Sequence, residues 1–421
     1  MLDLFPTSAE VRDGELAIGG VRASALADEH GTPLVVYCER TLREQARAYR
    51  AAAPDAFVCY GSKAFPNLAL LRLFAEEGLG ADVSTLGELE LALRAGVPPE
   101  RLVLHGNNKS DEELRRAAEA GVGLTVLDAL DEIERAAAAG IRRALVRVTS
   151  GIEADTHEAI RTGHHGSKFG LPPEDAVDAL RRARTAGLDA AGLHVHIGSQ
   201  LLDTNAARMT VEWLAAFAAA CRAELAGWTP EVVDLGGGLG VRHVEDEEAP
   251  PVGDFVAELR TRLERAWKLH ALPLPRLVLE PGRSLVGRAG VTLYRVGVVK
   301  RASESTTYVA VDGGMSDNPR PQLYGARYTA LVANRADEPA AQPFAVTGKH
   351  CEEEVVIRRV LLAPPRRGDV LAVPATGAYT LSMGSNYNLV PRPAAILVGD
   401  GRARVIRRRE TIEEVLARES A

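Results

Sequence analysis

The stretch FVCYGSKAFPNLALLRLFAEE, residues 57–77, contains one complete strand–loop–helix unit. Its first four residues form a continuous apolar run, which predicts a buried strand. Small residues and Lys63 follow at the point where this strand would end. From Asn67 to Glu77, leucines and a phenylalanine recur at helical spacing, which predicts an amphipathic helix. The next question is whether the rest of the chain repeats this unit.

The strand–helix alternation continues through most of the chain. Candidate strands are Phe57–Tyr60, Ala81–Ser84, Leu102–His105, Leu124–Asp128, Ala144–Val148, Gly192–Ile197, Val232–Leu235 and Leu277–Glu280. Candidate helices are Asn67–Glu77, Leu86–Ala95, Asp111–Ala120, Asp131–Ala139, Pro173–Ala186, Ala206–Ala226 and Phe255–His270. Such alternation over about 230 residues predicts an α/β fold, a (β/α)8 TIM-type barrel, with a doubly wound open sheet as the alternative.

A different pattern begins after Pro281, where short β-branched runs are separated by turn residues. These runs are Val291–Lys300, Thr307–Val311, Ala345–Thr347, Val355–Leu362 and Val370–Val373. They predict a second, C-terminal all-β domain, which the short N-terminal strands join and a helix from Ile412 to Arg418 closes. The predicted domains are residues 1–33 (N-terminal strands packing with the β domain), 34–284 (the barrel) and 285–421 (the β domain).

Composition excludes several classes of partner. The net charge is −7, and the basic triplet Arg407–Arg409 is followed by glutamates, so neither nucleic acid nor an anionic membrane surface is an expected partner. The four cysteines are far apart, which argues against a zinc site or a disulfide framework. The N-terminal residues are charged throughout, and no stretch is long and apolar enough to span a bilayer. We therefore expect a cytoplasmic protein that acts on a small molecule.

Polar residues collect where the predicted barrel strands end, and barrels carry their reactive groups at this end. They are Lys63, Ser84, His105 with Asn107, Asp128, Arg147, His196 with Ser199, Gly236–Gly238, and Glu280 with Arg283. A lysine in this position can form a Schiff base with a carbonyl. Taken alone, Lys63 is more simply interpreted as a surface lysine in a turn. The polar groups at the other strand ends favour a functional site.

The last strand ends suggest what this site binds. Gly236, Gly237 and Gly238 allow backbone N–H groups to approach an anion, and Arg283 can hold a phosphate by two hydrogen bonds. The loops after strands seven and eight are common phosphate sites in barrels. Glu280, at this depth, needs a partner, and a protonated ring nitrogen would be one. These features, with Lys63, predict a pyridoxal phosphate site.

The segment His194-Val195-His196 has two open interpretations. Alternation along a strand places both imidazoles on one face, as a metal pair would require. No acidic residue at ligand spacing completes such a pair, so we predict no metal. We expect His196 to stack on a flat cofactor ring, with core packing as the alternative. A further segment, Thr149 to Gly170, has no clear period and is predicted to be a loop that closes over the site.

Eight motifs occur in an order that resembles the fold-type III pyridoxal phosphate-dependent decarboxylases, the ornithine/diaminopimelate/arginine family. They are YGSKA (60–64), DVSTLGEL (82–89), SKFG (167–170), GLHVHIGSQ (192–200), DLGGG (234–238), EPGRS (280–284), GKHCE (348–352) and GAY (377–379). The resemblance covers nearly the whole chain and is strongest to the diaminopimelate branch. It implies conversion of meso-diaminopimelate to L-lysine and CO₂.

The resemblance also implies roles for individual residues. Lys63 would hold the cofactor as a Schiff base, His196 would stack on its ring, and Glu280 would pair with its nitrogen. The phosphate would be held by Ser199, Gly238, Arg283 and Tyr379. Cys351 would donate a proton to the carbon that loses CO₂. The implied substrate-binding residues are Arg283, Arg320, Tyr324, Glu352 and Tyr379. A homodimer with shared active sites is implied, in which Cys351, Glu352 and Tyr379 reach the partner's lysine.

Two departures from the diaminopimelate branch leave the substrate open. Where that branch usually continues Ser-Gly-Asp after the cysteine and glutamate, this chain has Glu353-Glu354-Val355. An added carboxylate beside the distal end of a substrate would repel a carboxylate and favour an ammonium. Thr380 follows Tyr379, where that branch commonly has glycine and the ornithine branch has threonine. The alternative is therefore a paralogous decarboxylase of ornithine, lysine or an amino acid of a specialised pathway.

Other classes fit less well. An amino-acid racemase would carry a tyrosine base and typically an arginine, in place of Glu280, at the ring nitrogen. A non-catalytic cofactor-binding barrel would lack the β domain with Cys351. A metal-dependent hydrolase would need more ligands than His194 and His196.

Overall fold

The computed structural model describes residues 1–152, 167–196 and 198–420. Contacts divide the chain into two compact units. The barrel unit comprises residues 45–240 and 249–284, and the β unit comprises residues 1–44, 241–248 and 285–421. Most of the loop predicted from Thr149 to Gly170 lies outside the described residues, so its proposed closure over the site stays a prediction.

The strands of the described residues, in chain order, are β1 (Glu10–Arg12), β2 (Glu15–Ile18), β3 (Val21–Arg22), β4 (Leu34–Cys38), β5 (Phe57–Gly61), β6 (Gly80–Val83), β7 (Leu102–Leu104), β8 (Leu124–Leu127), β9 (Arg143–Arg147), β10 (Asp189–His194), β11 (Val232–Asp234), β12 (Arg276–Leu279), β13 (Gly290–Arg301), β14 (Thr307–Val311), β15 (Leu331–Val332), β16 (Gln342–Thr347), β17 (Ile357–Leu362), β18 (Val370–Val373), β19 (Ala394–Gly399) and β20 (Arg402–Arg407). The helices are α1 (Ala23–His30), α2 (Glu39–Ala52), α3 (Leu68–Glu76), α4 (Leu86–Ala95), α5 (Asp111–Ala120), α6 (Glu132–Ala139), α7 (Pro173–Thr185), α8 (Asn205–Glu224), α9 (Val252–Leu269), α10 (Arg283–Val286), α11 (Arg320–Tyr324) and α12 (Ile412–Leu416).

Strands β5 to β12 form a closed parallel barrel in which each strand pairs with the next along the chain. Closure comes from β12, whose Val278 lies opposite Phe57 of β5. Apolar side chains from the strands, among them Cys59 and Val126, pack into one buried cluster. The predicted (β/α)8 barrel is confirmed, and its carboxyl strand ends gather the polar residues at one end of the barrel.

Local sequence explains why the helices begin and end where they do. Helix α3 begins after Asn67, whose side chain accepts hydrogen bonds from the backbone N–H groups of Ala69 and Leu70. Ser110 and Glu113 form a capping box at the start of α5. Such caps stabilise a helix by about 1 kcal/mol each, because they satisfy N–H groups that have no partner within the helix.

The β unit contains two sheets. Its nine-stranded sheet runs in the order β17-β16-β14-β13-β4-β19-β20, with β18 paired to β13 and β15. Strands β1, β2 and β3 form a separate three-stranded sheet. Leu16 and Ile18 of β2 pack in one buried cluster with residues of β4, β13 and β19. The prediction that the N-terminal strands join the β domain is therefore confirmed as a matter of fold.

Three details differ from the prediction. β4 belongs to the β unit, since it pairs antiparallel with β13 and parallel with β19, so the barrel starts later than residue 34. Its five residues are all buried, and a continuous apolar run does not reveal which sheet it joins. The Ala-rich segment from Ala23 to His30 is a helix within a region predicted as β-structure. The sheet also includes β19 and β20, which the sequence pattern did not reveal.

Within the described part of the chain, no helix is both long and apolar enough to cross a membrane.

Candidate active site

Lys63 lies in a short 3-10 turn, Ser62–Ala64, directly after β5. Its Nζ donates a hydrogen bond to Asp82 Oδ2 at 3.1 Å. Asp82 is almost completely buried on β6, whereas the side chain of Lys63 is 46% exposed. Ser62 Oγ donates to the carbonyl of Asp82 at 2.8 Å and ties the turn to the neighbouring strand. The turn therefore holds an accessible ammonium group at the carboxyl end of the barrel, beside a fixed negative charge.

Glu280, directly after β12, is the centre of a buried polar cluster. His105 Nε2, from the end of β7, contacts Glu280 Oε1, and His194 Nε2 lies 3.7 Å from Glu280 Oε2. The two imidazole rings meet edge to face with centroids 4.9 Å apart. Asp234, at the end of β11, completes the cluster, and the polar atoms of all four residues lie within 4.8 Å of one another.

The pKa values of two acids in this cluster are shifted in opposite directions. Burial raises the pKa of Asp234 well above its ordinary value, and the nearby charge of Glu280 raises that pKa further. Burial acts on Glu280 in the same direction, but the imidazoles of His105 and His194 outweigh it and hold the pKa of Glu280 well below its ordinary value. These opposite shifts favour the proton on Asp234 and the negative charge on Glu280.

The two histidines of the HVH segment are held neutral. Burial lowers the pKa of His194 to about 3. The pKa of His196 is also lowered well below its ordinary value, first by burial and then by the positive charges of Lys63 and Arg147. A neutral, flat imidazole is suited to stacking against an aromatic ring.

Three of the four predicted phosphate-binding residues, Ser199, Gly238 and Arg283, follow β10, β11 and β12, whereas Tyr379 lies in the β unit. Arg283, which begins α10, is buried and donates from Nη2 to Ser199 Oγ at 3.2 Å. The glycine run 236–238 follows β11. At Gly237 a side chain is impossible, because its Cβ would overlap the carbonyl oxygen of Glu280. This close approach brings the backbone after β11 against the backbone after β12.

In the β unit, Cys351 and Glu352 are both exposed on the segment that follows β16. The backbone N–H of Cys351 donates to Asn388 Oδ1 at 3.1 Å. Tyr387 donates its hydroxyl proton to Glu352 Oε1 at 2.7 Å. Two consecutive residues near the C-terminus therefore fix the backbone of one predicted functional residue and the side chain of the other.

The other predicted residues of this unit are placed as follows. Arg320 is buried at the start of α11, where its Nε donates to Tyr328 Oη at 3.0 Å and its guanidinium lies 5.7 Å from the ring centre of Tyr324. Tyr379 is half-buried and has a φ of 57°, an unusual conformation for a residue with a side chain. Such strained residues concentrate at functional sites.

The residues Glu353 to Val355, which left the substrate open in the sequence analysis, differ in burial. Glu353 is exposed, Glu354 is buried, and Val355 is half-buried. Thr380 is also buried, and its Oγ1 donates to the carbonyl of Thr376 at 2.6 Å. The sequence interpretation treated Glu353–Val355 as one altered surface, but only Glu353 adds an exposed carboxylate.

Sequence reasoning gave no role to Asp82, Asp234 or His105, although all three were noted at strand ends or in motifs. The sequence did contain an indication for Asp82, because an acidic residue between Ala81 and Val83 interrupts an otherwise apolar strand. The argument against a metal pair considered only acids at ligand spacing along the chain, whereas two carboxylates approach His194 in space. They come from β11 and β12, so spacing along the chain could not reveal them.

Comparisons with known proteins agree with this geometry. The family model described as "Pyridoxal-dependent decarboxylase, pyridoxal binding domain" matches residues 39–287. The diaminopimelate decarboxylase of Actinosynnema pretiosum subsp. auranticum is 44% identical over 423 residues, covering 99% of this chain and 95% of the relative. The diaminopimelate decarboxylase of Bacillus subtilis (strain 168) is 40% identical and covers 98% of this chain and 97% of the relative.

Solved structures show the same similarity. The diaminopimelate decarboxylase of M. jannaschii in complex with L-lysine is 32% identical, with a TM-score of 0.91, covering 99% of this chain and 98% of that chain. The lysine/ornithine decarboxylase of Vibrio vulnificus complexed with cadaverine, at 24% identity and a TM-score of 0.77, shares the fold; the coverage is 89% and 96%.

Proposed function

Because the chain belongs to the family of pyridoxal-dependent decarboxylases, we propose that it converts meso-diaminopimelate to L-lysine and CO₂ with pyridoxal 5'-phosphate as its cofactor. The observation that carries the substrate is near-full-length identity of 40–44% to relatives named diaminopimelate decarboxylase. The observation that supports the chemistry is the buried Glu280 at the carboxyl end of the barrel, with His105 and His194 beside its carboxylate.

The residues of the barrel unit fit the proposed cofactor. An ionised carboxylate with both oxygens close to imidazoles is a strong partner for a protonated ring nitrogen. The Arg283–Ser199 pair and the backbone after β11 supply donors suited to a phosphate. Lys63 supplies an accessible amine at the same end of the barrel. The barrel unit therefore offers a carboxylate for the cofactor's cationic ring nitrogen, hydrogen-bond donors for its phosphate and an amine for its aldehyde carbon.

Bound pyridoxal phosphate supplies an electron sink for the electron pair left when the carboxylate departs. In this proposal, Lys63 would bind the cofactor's aldehyde carbon, and Glu280 would hold the proton on the ring nitrogen. His196, whose pKa is lowered well below its ordinary value, would stack on the ring without competing for that proton. Cys351 would be the proton donor, and Tyr379 would contact the phosphate and the substrate.

In this proposal, residues of the β unit bind the distal end of the substrate. Arg283 is the one predicted substrate-binding residue that belongs to the barrel unit. Arg320 and Tyr324 bind the distal carboxylate, and Glu352 binds the distal ammonium. Support comes from the Tyr387 hydrogen bond, which holds Glu352 in one orientation. The burial of Glu354 supports it too, because that carboxylate does not add a repulsive charge to the substrate surface.

The test of this function is a panel of four amino acids, meso-diaminopimelate, lysine, ornithine and arginine, assayed side by side for CO₂ release. We expect kcat/KM for meso-diaminopimelate to exceed the others by roughly 1,000-fold, since sites built to pair a buried charge reject analogues that lack it. A preference for ornithine or lysine would overturn the proposal and favour the paralogous decarboxylase. The exposed carboxylate of Glu353 is the feature that such a paralogue would use.

We also propose a homodimer with shared active sites and a cytoplasmic location. The exposure of Cys351 and Glu352 and their place in a different compact unit from Lys63 support the shared site. Cell fractionation would test the location.

Subunit complementation tests the shared site. Lys63→Ala and Cys351→Ala should each be inactive alone, but their co-expression should restore about a quarter of the wild-type activity, because half of the randomly formed dimers contain one intact site. The control is co-expression of Lys63→Ala with Glu280→Gln, two substitutions in one barrel. In a shared-site dimer this control pair should restore nothing. Activity no higher in the test pair than in the control would contradict the proposal.

A further inference from the structure

Glu354 is a buried carboxylate whose side chain is 1% exposed. It lies three residues after Cys351, in the segment where this chain departs from the expected pattern of its branch. A buried carboxylate requires hydrogen-bonding partners to offset the loss of water. The partners of Glu354 lie in two separate segments of the β unit, and this arrangement points to its role.

The first segment carries the predicted proton donor. Glu354 Oε1 accepts a hydrogen bond from the backbone N–H of His350 at 2.9 Å. The same oxygen lies 2.5 Å from His350 Nδ1. The carboxylate thus closes residues 350–354 into a tight turn, and Cys351 and Glu352 are exposed on it.

The second segment leads into the predicted substrate arginine. Glu354 Oε2 accepts from the backbone N–H of Met315 at 2.6 Å. The backbone N–H of Asn318 donates to the carbonyl of Gly314 at 2.8 Å, so the turn from 314 to 318 is also closed. Helix α11 begins two residues later with Arg320. One carboxylate therefore joins the turn of Cys351 to the turn before Arg320.

The sequence around Glu354 is fitted to this carboxylate. A Cβ on Gly348 would overlap Glu354 Oε1, and a Cβ on Gly314 would lie 2.6 Å from both oxygens. The absence of a side chain at Gly348 and Gly314 therefore leaves the space that the Glu354 carboxylate occupies. A backbone hydrogen bond between the segments, from Lys349 N–H to the carbonyl of Gly313 at 3.0 Å, runs beside it.

We propose that Glu354 is a positioning residue that fixes the Cys351–Glu352 turn relative to the Arg320 turn. It sets the separation between the group that donates the proton and the groups that bind the distal end of the substrate. This inference rests on the proposed function, because the roles of Cys351, Glu352 and Arg320 come from it. It also gives the departure at residue 354 a structural purpose in place of a change of substrate.

The test uses the holoenzyme with Glu354→Ala, the isosteric Glu354→Gln, and, as the control, Glu304→Gln at an exposed glutamate between β13 and β14. Hydrogen exchange, followed by mass spectrometry, reports the peptides that contain residues 313–318 and 348–354. Steady-state kinetics on meso-diaminopimelate report kcat and KM separately. Exchange in the barrel strands reports whether the remaining fold is intact.

For Glu354→Ala we expect faster exchange in both peptides, an increase in KM of roughly fivefold or more, and a fall in kcat of roughly 10- to 100-fold, as a displaced reacting group produces. Glu354→Gln should give smaller effects in the same direction, because it retains one acceptor oxygen. Glu304→Gln should stay within about twofold in every measurement. A loss of folded protein alone would lower kcat without changing KM.

Two results would overturn the proposal. Exchange rates in both peptides that match the wild type would show that Glu354 does not join the segments. Faster exchange with unchanged kcat and KM would show a structural contact without a positioning role. If wild-type enzyme does not act on meso-diaminopimelate, the proposed function fails, and the exchange measurement still decides whether Glu354 joins the two turns.

Discussion

Glu280 in the barrel unit and Glu354 in the β unit are equally buried, each about 4% exposed, yet their partners differ in kind. Glu280 is surrounded by the side chains of His105 and His194. Glu354 accepts from the backbone N–H groups of Met315 and His350, and its Oε1 also lies 2.5 Å from His350 Nδ1. The partners of Glu280 come from separate barrel strands and shift its pKa, whereas the backbone partners of Glu354 fix the path of two chain segments. The first glutamate is thus suited to chemistry and the second to placement.

Asp317 provides a third case, a buried acid whose hydrogen bonds come from a tyrosine hydroxyl and a backbone N–H group. It accepts from the backbone N–H of Gly314 at 2.8 Å and from the hydroxyl of Tyr294. Burial raises its pKa to about 7, and these two hydrogen bonds do not offset the effect of burial. Glu280 and Asp317 therefore differ in what controls the pKa: the imidazoles lower that of Glu280, whereas burial dominates that of Asp317.

The largest expected effect comes from removing the charge of Glu280. Glu280→Gln should lower kcat on meso-diaminopimelate by roughly 100- to 1,000-fold, because a neutral amide cannot hold a proton on the ring nitrogen. The measurement is steady-state decarboxylation with the cofactor in excess.

Asp234→Asn is the matched control for this change. Burial and the nearby Glu280 raise the pKa of Asp234, which favours its protonated form, and its Oδ1 accepts from the backbone N–H of Gly236 at 2.8 Å, a contact that asparagine retains. We expect activity within about tenfold of the wild type. Equal losses in the two variants would show that the charge has been assigned to the wrong acid.

A smaller effect is expected on the pH dependence of stability through Asp317. Its pKa is higher in the folded protein than in the unfolded chain, so the unfolded state releases the proton first as the pH rises. Its contribution to the free energy of unfolding therefore decreases by roughly 1 kcal/mol per pH unit between about pH 4 and pH 7, and is constant outside that window. Asp317→Asn imitates the protonated acid and should remove this decrease.

Denaturant unfolding of both proteins across that pH range measures the difference. If stability changes with pH in the same way in the variant and the wild type, Asp317 is ionised in the folded protein. The difference in pKa between Asp317 and Glu280 could then not be attributed to the imidazoles beside Glu280.

Much of the fold could be predicted because it depends on local pattern. The helices from Leu86 to Ala95 and from Asp111 to Ala120 have the predicted bounds, since their apolar spacing and their terminal residues agree. β4 was assigned to the wrong domain because a buried apolar run is the same in both sheets. Pairing with β13 and β19, which are distant in sequence, decides its place.

The sequence predicted which residues belong to the site better than it predicted the contacts between them. Lys63, Glu280 and Arg283 were found from their position at strand ends. The contact of His105 with Glu280 spans 175 residues, and no spacing rule reveals it. The inward orientation of Glu354 was missed for a related reason. Loop residues have no period to show which side chain is buried, and the space for Glu354 depends on glycines elsewhere in the β unit.

The central claim is that the amine of Lys63, beside Asp82 and at the same barrel end as Glu280, binds the cofactor. The chain has six lysines, so the assignment can be tested directly. The holoenzyme is reduced with borohydride, digested, and searched by mass spectrometry for the pyridoxyl phosphate group. We predict that the modified peptide contains Lys63, and that Lys63→Ala loses both the modification and the visible absorption band. Modification of Lys109, Lys168 or another lysine, with Lys63 unmodified, would contradict the account.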